Sequence, residues 1–600
     1  METDEEKIKK RKIEEVDSIK DKKKEKRNLK DYLLSKQSSN KQKDEFRKQY
    51  EYEDEMHLRC KKCKNKYTFN VLNEKITSSS NLRSHKCINN DNDNKNQPKI
   101  NFNVITKERK DKLDKNLSKI IVMDERPFRL IKTESFKAFV NELNSSYSIP
   151  DEKTIKKNMK NQLEVFKLNL KEKIKNVECF SITADLRKSN TNCHFIGITL
   201  HYFDQKIIHR TLAMSPLDCV HATGAEISAV ILKILAEFNL PADKIVVAVS
   251  DGGTNMKSAF SILKIPNFHC AVHQLNLIIQ EGMTCINDLR SKCKTIARKF
   301  RKSSVFWETL KNFQKEDNIV NSWNDIVYKT PIEVKTRFNS SYYMIDRISL
   351  LLSNINATFA KLSESSLIVN DIEKTKIDEV LEIMKPFDEL TKKLSASSFS
   401  CCNYVLPSFF MLKKKVDIVD SSYDDIKNFK EVLKQEIDKR INEMIKDNNL
   451  ILCTFLDPRY KSLKFLDETL KNNFLIFLRK KVEDLKINKP ENPPNNNSLE
   501  NDNFDSELMD ISDEKDEINA YLGEKINDIE LKVLNYWICN TQYPTLKKLA
   551  LQFLIVPASS IPSECAFSAM GRIYGKLRGR LKPETASMLH LLKSNVDMWE

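Results

Sequence analysis

Six hundred residues, 40% of them apolar, hold material for several hydrophobic cores, so the chain reads as an α+β multidomain protein, mostly helical, of roughly three to five folding units. Nine glycines and seventeen prolines are too few for a loop-rich all-β architecture. With no signal-like apolar N-terminus and no run near the roughly 20 apolar residues of a membrane helix, an intracellular chain with no membrane partner is expected. A formal charge of +16 points to a polyanion, and fourteen irregularly spaced cysteines point to reduced thiols with room for a metal site.

Residues 1–50 alternate Lys, Glu and Arg and read as a disordered basic tail. Its "DKKKEKR" suits nuclear import or phosphate contact, and equally simple solubility. Residues 51–95 contain "CKKCKNKYTFNVLNEKITSSSNLRSHKC". Cys60, Cys63, His85 and Cys87 offer four borderline-soft ligands for tetrahedral zinc, with "SSSNLRSH" as a capped short helix between them and His57 as a reserve ligand. Over residues 96–175, Phe136, Phe139, Val140 and Leu143 recur at helical spacing, followed after Pro150 by Ile155, Met159, Leu163 and Phe166. Both stripes are expected to be core.

From residue 176 to 290 the period shifts toward two: "VECFSITADL", "CHFIGITLHYFD" and "KIIHRTLAM" are three β-rich runs. The helix "GAEISAVILKILAEF", the strand "KIVVAVSDGG", "SAFSILK" and the strand-to-helix segment "FHCAVHQLNLIIQ" follow, giving the order β-β-β-α-β-α-β. The first three strands suit a meander, and the strand reached across the helix should pair in parallel. Asp185 then falls at the end of the first strand and Asp251 at the end of the fourth. If those strands are neighbours the carboxylates converge, which costs repulsion unless a hard divalent cation intervenes. Taken singly, each acid is also ordinary turn chemistry.

Residues 291–530 read as a long helical insertion, broken at about 488–518 by a disordered acidic loop. Within it "LDPRYK" suggests a helix start, with Asp457 capping, Pro458 in the first turn and Arg459 reaching DNA or an acid. In residues 531–600, Ser559 or Ser560 can cap a helix with Pro562 in its first turn, placing Glu564 near the positive end of the dipole. Glu564 is either on the wet stripe of that helix or the third carboxylate of a metal triad with Asp185 and Asp251. Leu577, Leu581, Met588, Leu589, Leu591 and Leu592 offer more apolar area than a terminal helix buries alone. They suit a homodimer surface, or packing back onto the sheet.

In order along the chain, "RPFRLI", "SFKAFVNEL", "SITADLRKSN", "VSDGGTNM", "CAVHQLNL", "VKTRFNSSYYMIDR", "ILCTFLDPRYKSLKF", "PASSIPSECAFSAMG" and "LRGRLKPE" resemble the hAT superfamily of transposases and the BED-finger host proteins derived from them. The resemblance implies a BED-type zinc finger over 51–95, touching DNA through Lys61, Lys62, Lys64, Lys66 and Arg83, and a helical DNA-binding or linker region over 96–175. It implies an RNase H-like mixed-sheet core, residues 176–290 and 531–600, interrupted by the helical insertion. Asp185, Asp251 and Glu564 become its acidic triad, using Mg2+ or Mn2+. Cys270 and His273 match a Cys-x2-His pair beside the catalytic site. Arg337 and Phe338 match an Arg-Trp pair whose aromatic stacks on a flipped base. The implied activity is cut-and-paste transposition of double-stranded DNA in the nucleus by a homodimer or higher oligomer. A domesticated, non-cutting regulator is the alternative. Three positions depart from the pattern: Leu186-Arg187 stand where a small residue and Trp are usual, Phe338 replaces Trp, and Cys565 replaces Arg.

Overall fold

The structure is a computed structural model describing residues 50–54, 57–68, 71–72, 75–76, 105–188, 193–217, 222–317, 320–321, 326–333, 338–395, 402–487, 516–526, 528, 530–574 and 581–599. The chain divides into two compact units, Met1–Val104 and Ile105–Glu600.

In the first unit, β1 (Tyr50–Asp54), β2 (His57–Cys60) and β3 (Lys66–Thr68) form an antiparallel sheet in that order. Alternation buries Leu58 and Cys60, and the rings of Tyr50 and Tyr67 meet edge to face at 6.1 Å. A two-residue-per-strand pair, β4 (Val71–Leu72) and β5 (Lys75–Ile76), follows. The proposed finger helix, with Arg83, His85 and Cys87, lies outside the described residues.

The second unit begins with α1 (Lys107–Met123), α2 (Glu134–Leu143) and α3 (Glu152–Ile174). Asp151 caps α3 by accepting from the Thr154 N–H at 2.8 Å, and Ile155, Met159 and Phe166 are buried, as their spacing predicts. The expectation for α2 fails. This ten-residue helix buries no residue: Phe136 packs partly against the core, while Phe139 and Leu143 are 60% and 71% exposed. Its stripe is amphipathic, but the helix meets the rest of the unit mainly through its first turns.

The sheet contains β6 (Phe180–Lys188), β7 (His194–Asp204), β8 (Lys206–Leu217), β9 (Ile245–Ser250) and β10 (Asn267–His269), in the order β10-β9-β6-β7-β8. The meander β6-β7-β8 is antiparallel, and β9 returns across α4 (Gly224–Glu237) to pair with β6 in parallel. A reciprocal capping box between Thr223 and Glu226 starts α4. Helix α5 (Thr254–Leu263) leads to β10, parallel to β9, and β10 runs into α6 (Ala271–Gly282). The predicted order of elements is met throughout.

Alternation along β9 divides the interior. Val247 and Val249 join a large core shared with α6 and the insertion, whereas Ala248 joins the core under α1, α3, α4 and α5; Ile245, beyond a register shift in the β6–β9 ladder, joins that second core as well. Among the described residues, the regular elements from Asn287 to Phe553 are helices except for a small antiparallel ladder, β11 (Val320–Asn321) with β12 (Ile326–Val327), so the insertion is not wholly α. Helix Glu517–Gly523, capped by the Asp516 side chain, begins inside the segment expected to be loop. At "LDPRYK" the chain makes successive turns and no helix starts. Asp457 instead accepts from the Arg459 N–H (3.1 Å), the Arg459 Nε (2.9 Å) and Nη2 (2.7 Å), and Asn403 Nδ2 (2.8 Å). Arg459 thus reaches an acid.

The chain returns to the sheet through α7 (Ile561–Ile573) and α8 (Pro583–Ser594). Met588, Leu589, Leu591 and Leu592 are buried, and Ser587 Oγ donates to the Met214 carbonyl of β8 at 2.5 Å. These leucines pack back onto the sheet, so their burial is already achieved within one protomer. Among the described residues no helix is long and apolar enough to cross a membrane.

Candidate acidic centre

Strand β6 sets the site by its period of two: Thr183, Asp185 and Arg187 share one face. Thr183 Oγ1 lies 2.7 Å from Ser563 Oγ, and Arg187 Nη2 donates to Glu564 Oε2 at 3.1 Å, so successive residues of α7 are fixed to two residues on one face of β6. A tight approach by α7 is needed for this, and Gly197, the β7 partner of Asp185, permits it. A Cβ at Gly197 would come within 2.9 Å of Phe567 Cε2.

In the β6–β9 register Ala184 pairs with Ser250, so Asp251 leaves the end of β9 beside Asp185; Asp185 itself is not at a strand end as expected, because β6 continues to Lys188 in its pairing with β7. The turn after Asp251 is held by three features. Gly253 N–H donates to Asp251 Oδ1 (3.1 Å), Gly252 adopts φ +77°, and the ring of His269 lies where a Gly252 Cβ would be, 2.5 Å from Nε2. Burial pushes His269 down to about 3, helped by the nearby His273 ring, so this ring packs as a neutral imidazole.

Asp185 is buried. Its Oδ1 accepts from the Leu186 N–H (2.9 Å), while Oδ2 has no hydrogen-bond partner and lies 3.4 Å from Arg187 Nε. Burial pushes its carboxyl up to about 7. Arg187 opposes the rise, and Asp251 and Glu564 add to it by like-charge repulsion, so the three acids sense one another.

Cys270 proves to be a cap. Buried, it stands at the N-cap of α6, where its Sγ accepts from the His273 N–H (3.4 Å) and from the Ser560 N–H (3.3 Å). Its own N–H donates to Ser250 O at 2.7 Å, and Ala271 N–H donates to Ala558 O at 3.1 Å. The Cys-x2-His spacing is thus the N-cap to N3 spacing; the thiol ties the starts of α6 and α7 together, and the Cys270 backbone N–H adds the end of β9. Ser560 occupies the N-cap of α7 without a side-chain capping bond, and Ser559 Oγ instead donates to Leu394 O at 3.0 Å. Glu564 does sit in the first turn of α7, as predicted.

Other predicted positions are separate from this centre. Cys60 is buried and Cys63 exposed on one tight turn, closed by Cys60 N–H to Asn65 O and Lys64 N–H to Cys60 O, both 2.9 Å. Lys61, Lys62 and Lys64 lie exposed on that turn, and Lys64 Nζ donates to Glu51 Oε1 at 3.0 Å. Phe338 opens the helix Phe338–Leu350, and Arg337 lies outside the described residues. In the sequence Arg187 stands out only as a departure from the family pattern. Its charge, two residues from a buried acid on the same strand face, was the signal that it contacts the centre.

Three carboxylates suit a hard divalent ion, and the orphaned Asp185 Oδ2 is an oxygen such an ion would satisfy. The placement does not suit one: among the described residues no three His, Cys, Asp or Glu side chains gather as a metal site, and the cation linking Asp185 to Glu564 is Arg187.

A mixed sheet with acids on adjacent parallel strands, followed by a helical insertion and completed by a returning helix, defines the architecture. Residues 517–596 match the hAT family C-terminal dimerisation region, and residues 268–383 match the ZBED1 RNase-like helical domain. The chain is 25% identical to the Putative AC transposase of Zea mays, over 89% of this chain and 72% of that protein. It is 22% identical to Zinc finger BED domain-containing protein 4 of Homo sapiens, over 81% and 44% respectively. Similarity to the Putative transcriptional regulator tpeD of Talaromyces stipitatus is 23%, over 78% and 60%. Across these matches the chain resembles the hAT superfamily of transposases and related BED-finger proteins.

Proposed function

We propose that the chain is a DNA-binding hAT-type transposase in which Asp185, Asp251 and Glu564 form the acidic set for strand cleavage and strand transfer, within an RNase H-like core. The observation that carries this reading is the parallel register that sets Asp185 beside Asp251, with Glu564 brought to the same cluster by α7 and Arg187. The net charge of +16 supports a double-stranded DNA partner, and a nuclear location follows from that substrate. The matched dimerisation region supports a homodimer or higher oligomer. Zinc at Cys60, Cys63, His85 and Cys87 belongs to the same proposal, supported by two thiols on one tight turn. So do Arg83 as a finger DNA contact and Arg337 with Phe338 as the base-stacking pair. Mg2+ or Mn2+ belongs to the transposase proposal only if Arg187 releases Glu564 and the three carboxylates rearrange to serve as its donors.

Arg187 also favours a second reading. A guanidinium that never leaves the acids would make the chain a domesticated regulator that binds DNA without cutting. Incubation of the full chain with its own element's ends and Mg2+ separates the two: released strands lost in Asp251→Asn and Glu564→Gln support the transposase, and bound but intact ends support the regulator.

A further inference from the structure

The face of the sheet turned to α7 and the insertion is apolar at Val247 and Val249, yet a run of polar side chains crosses it. Ser563 Oγ of α7 meets Thr183 Oγ1 of β6 at 2.7 Å, Thr183 Oγ1 meets Thr199 Oγ1 of β7, and Thr199 Oγ1 lies 3.0 Å from His201 Nε2. His201 Nδ1 in turn lies 2.5 Å from Nδ1 of His209, its partner across the β7–β8 ladder. The three hydroxyls and His201 are buried, and His209, on the edge strand, is half-buried. Among the described residues, the side chains of Ser563, Thr183, Thr199 and His201 make no hydrogen bond outside this run. Burial holds the His201 imidazole neutral, and the ionisable neighbour it senses is His209. Other charges toward this face are engaged or lie farther along it. From the insertion, Lys393, Arg459, Glu530 and Lys532 line a cavity with Ile207, two residues before His209, and Arg459 is held by Asp457. On α7, Glu564 is held by Arg187 and Arg572 by Glu125. Helices α4 and α8 cover the opposite face, where Arg210 pairs with Asp597 at 2.7 Å.

Counting protons gives the run a direction. Each hydroxyl carries one proton, a neutral imidazole carries one N–H, and each contact in the run needs one proton. If Ser563 donates to Thr183, Thr183 to Thr199, Thr199 to His201 and His201 to His209, every buried proton has an acceptor. The spare N–H is then at the half-exposed end. A proton added to His209 puts N–H on both of its nitrogens, so its Nδ1 can only donate to His201. The protons of His201 and the three hydroxyls then outnumber the contacts left to them, and one is stranded, at Ser563 when every contact is kept. We propose that His209 is a proton-operated clasp on α7. Without the added proton, the run ends in the bond from Ser563 that ties α7 to β6. With it, a buried donor is left unmet and α7 loosens, taking Glu564 with it. Loosening grows as pH falls, because proton uptake by His209 favours the state in which that donor reaches water. The clasp operates in a cutting or a non-cutting chain alike.

The test is backbone hydrogen–deuterium exchange of the full chain, read by mass spectrometry from peptides covering α7 and, as an internal reference, α4, with rates corrected for the intrinsic effect of pH. Between neutral pH and about pH 5.5, across the histidine range, protection of α7 should fall about tenfold while that of α4 holds, the weight of one buried donor left unmet. His209→Gln, which has no proton to gain, should show equal protection of α7 at both pH values. Thr199→Val, which severs the run and leaves Thr183 to meet Ser563, should do the same. Constant protection of α7 in the parent would overturn the clasp, and that arm needs no variant. A fall that persists in His209→Gln would place the sensor elsewhere and overturn it, and one that persists in Thr199→Val would overturn transmission through the run. An equal fall in α4 would show general acid unfolding and overturn the clasp as a local device.

Discussion

Asp457 in the insertion and Asp185 on β6 are both buried, their side chains 0% and 7% exposed, yet they are satisfied very differently. Asp457 receives four hydrogen bonds, three of them from Arg459. Glu333, 3% exposed, is similar: Oε1 accepts from Arg290 Nε (2.8 Å) and Nη2 (2.6 Å) and from Ser341 Oγ, and Oε2 pairs with Lys294. Asp185 has one backbone donor and an oxygen with none. A carboxylate kept for structure has its lone pairs filled, because an unmet buried acceptor costs stability. Spare capacity on a buried acid beside two others marks a place kept for something other than folding.

The contrast is tested first where the expected effect is largest. Glu333→Ala strands Arg290 and Lys294 and should destabilise the insertion by about 3–5 kcal/mol in urea unfolding. The next effect is one of pH. Burial holds His590 of α8 down to about 4, so it is neutral when folded and takes up a proton on unfolding. Its stabilising contribution is complete above the ordinary value near 6.5 and is lost as pH falls from there toward 4, by about 1.4 kcal/mol per pH unit. His590→Gln should remove one proton's worth of that slope, read from urea midpoints at neutral and mildly acidic pH. Cys270→Ala should cost about 1 kcal/mol, the loss of an N-cap, without changing zinc content; a fall in zinc would contradict the capping role. Asp185→Asn should have the smallest effect, within about 1 kcal/mol and on the stabilising side, because it removes an under-satisfied buried charge.

Much of this was legible in the residues. The shift of period after Cys179 and the order of runs to His273 gave the strands and the parallel return, because alternation and crossover handedness are local rules with few exceptions. The strand end then followed for Asp251, whereas β6 runs three residues past Asp185. Periodicity could not say which stripes find a partner: α2 has the pattern of a core helix and leaves Phe139 and Leu143 uncovered, whereas the leucines of α8 are covered by β8. Nor could spacing distinguish a metal half-site at Cys270 and His273 from a thiol cap, since N-cap to N3 and a ligand pair share it. Arg187 escaped for a third reason. Its role depends on α7, which returns to β6 from 377 residues away along the chain.

The central claim is that the acidic cluster exists for chemistry and not for folding. It is tested most directly by strand cleavage at the element's own ends with Asp185→Asn, assayed where its melting curve equals or exceeds the parent's. The account predicts DNA binding retained, melting unchanged or raised, and cleavage lost. Cleavage at the parental rate, or a stability loss as large as that of Glu333→Ala, would contradict it.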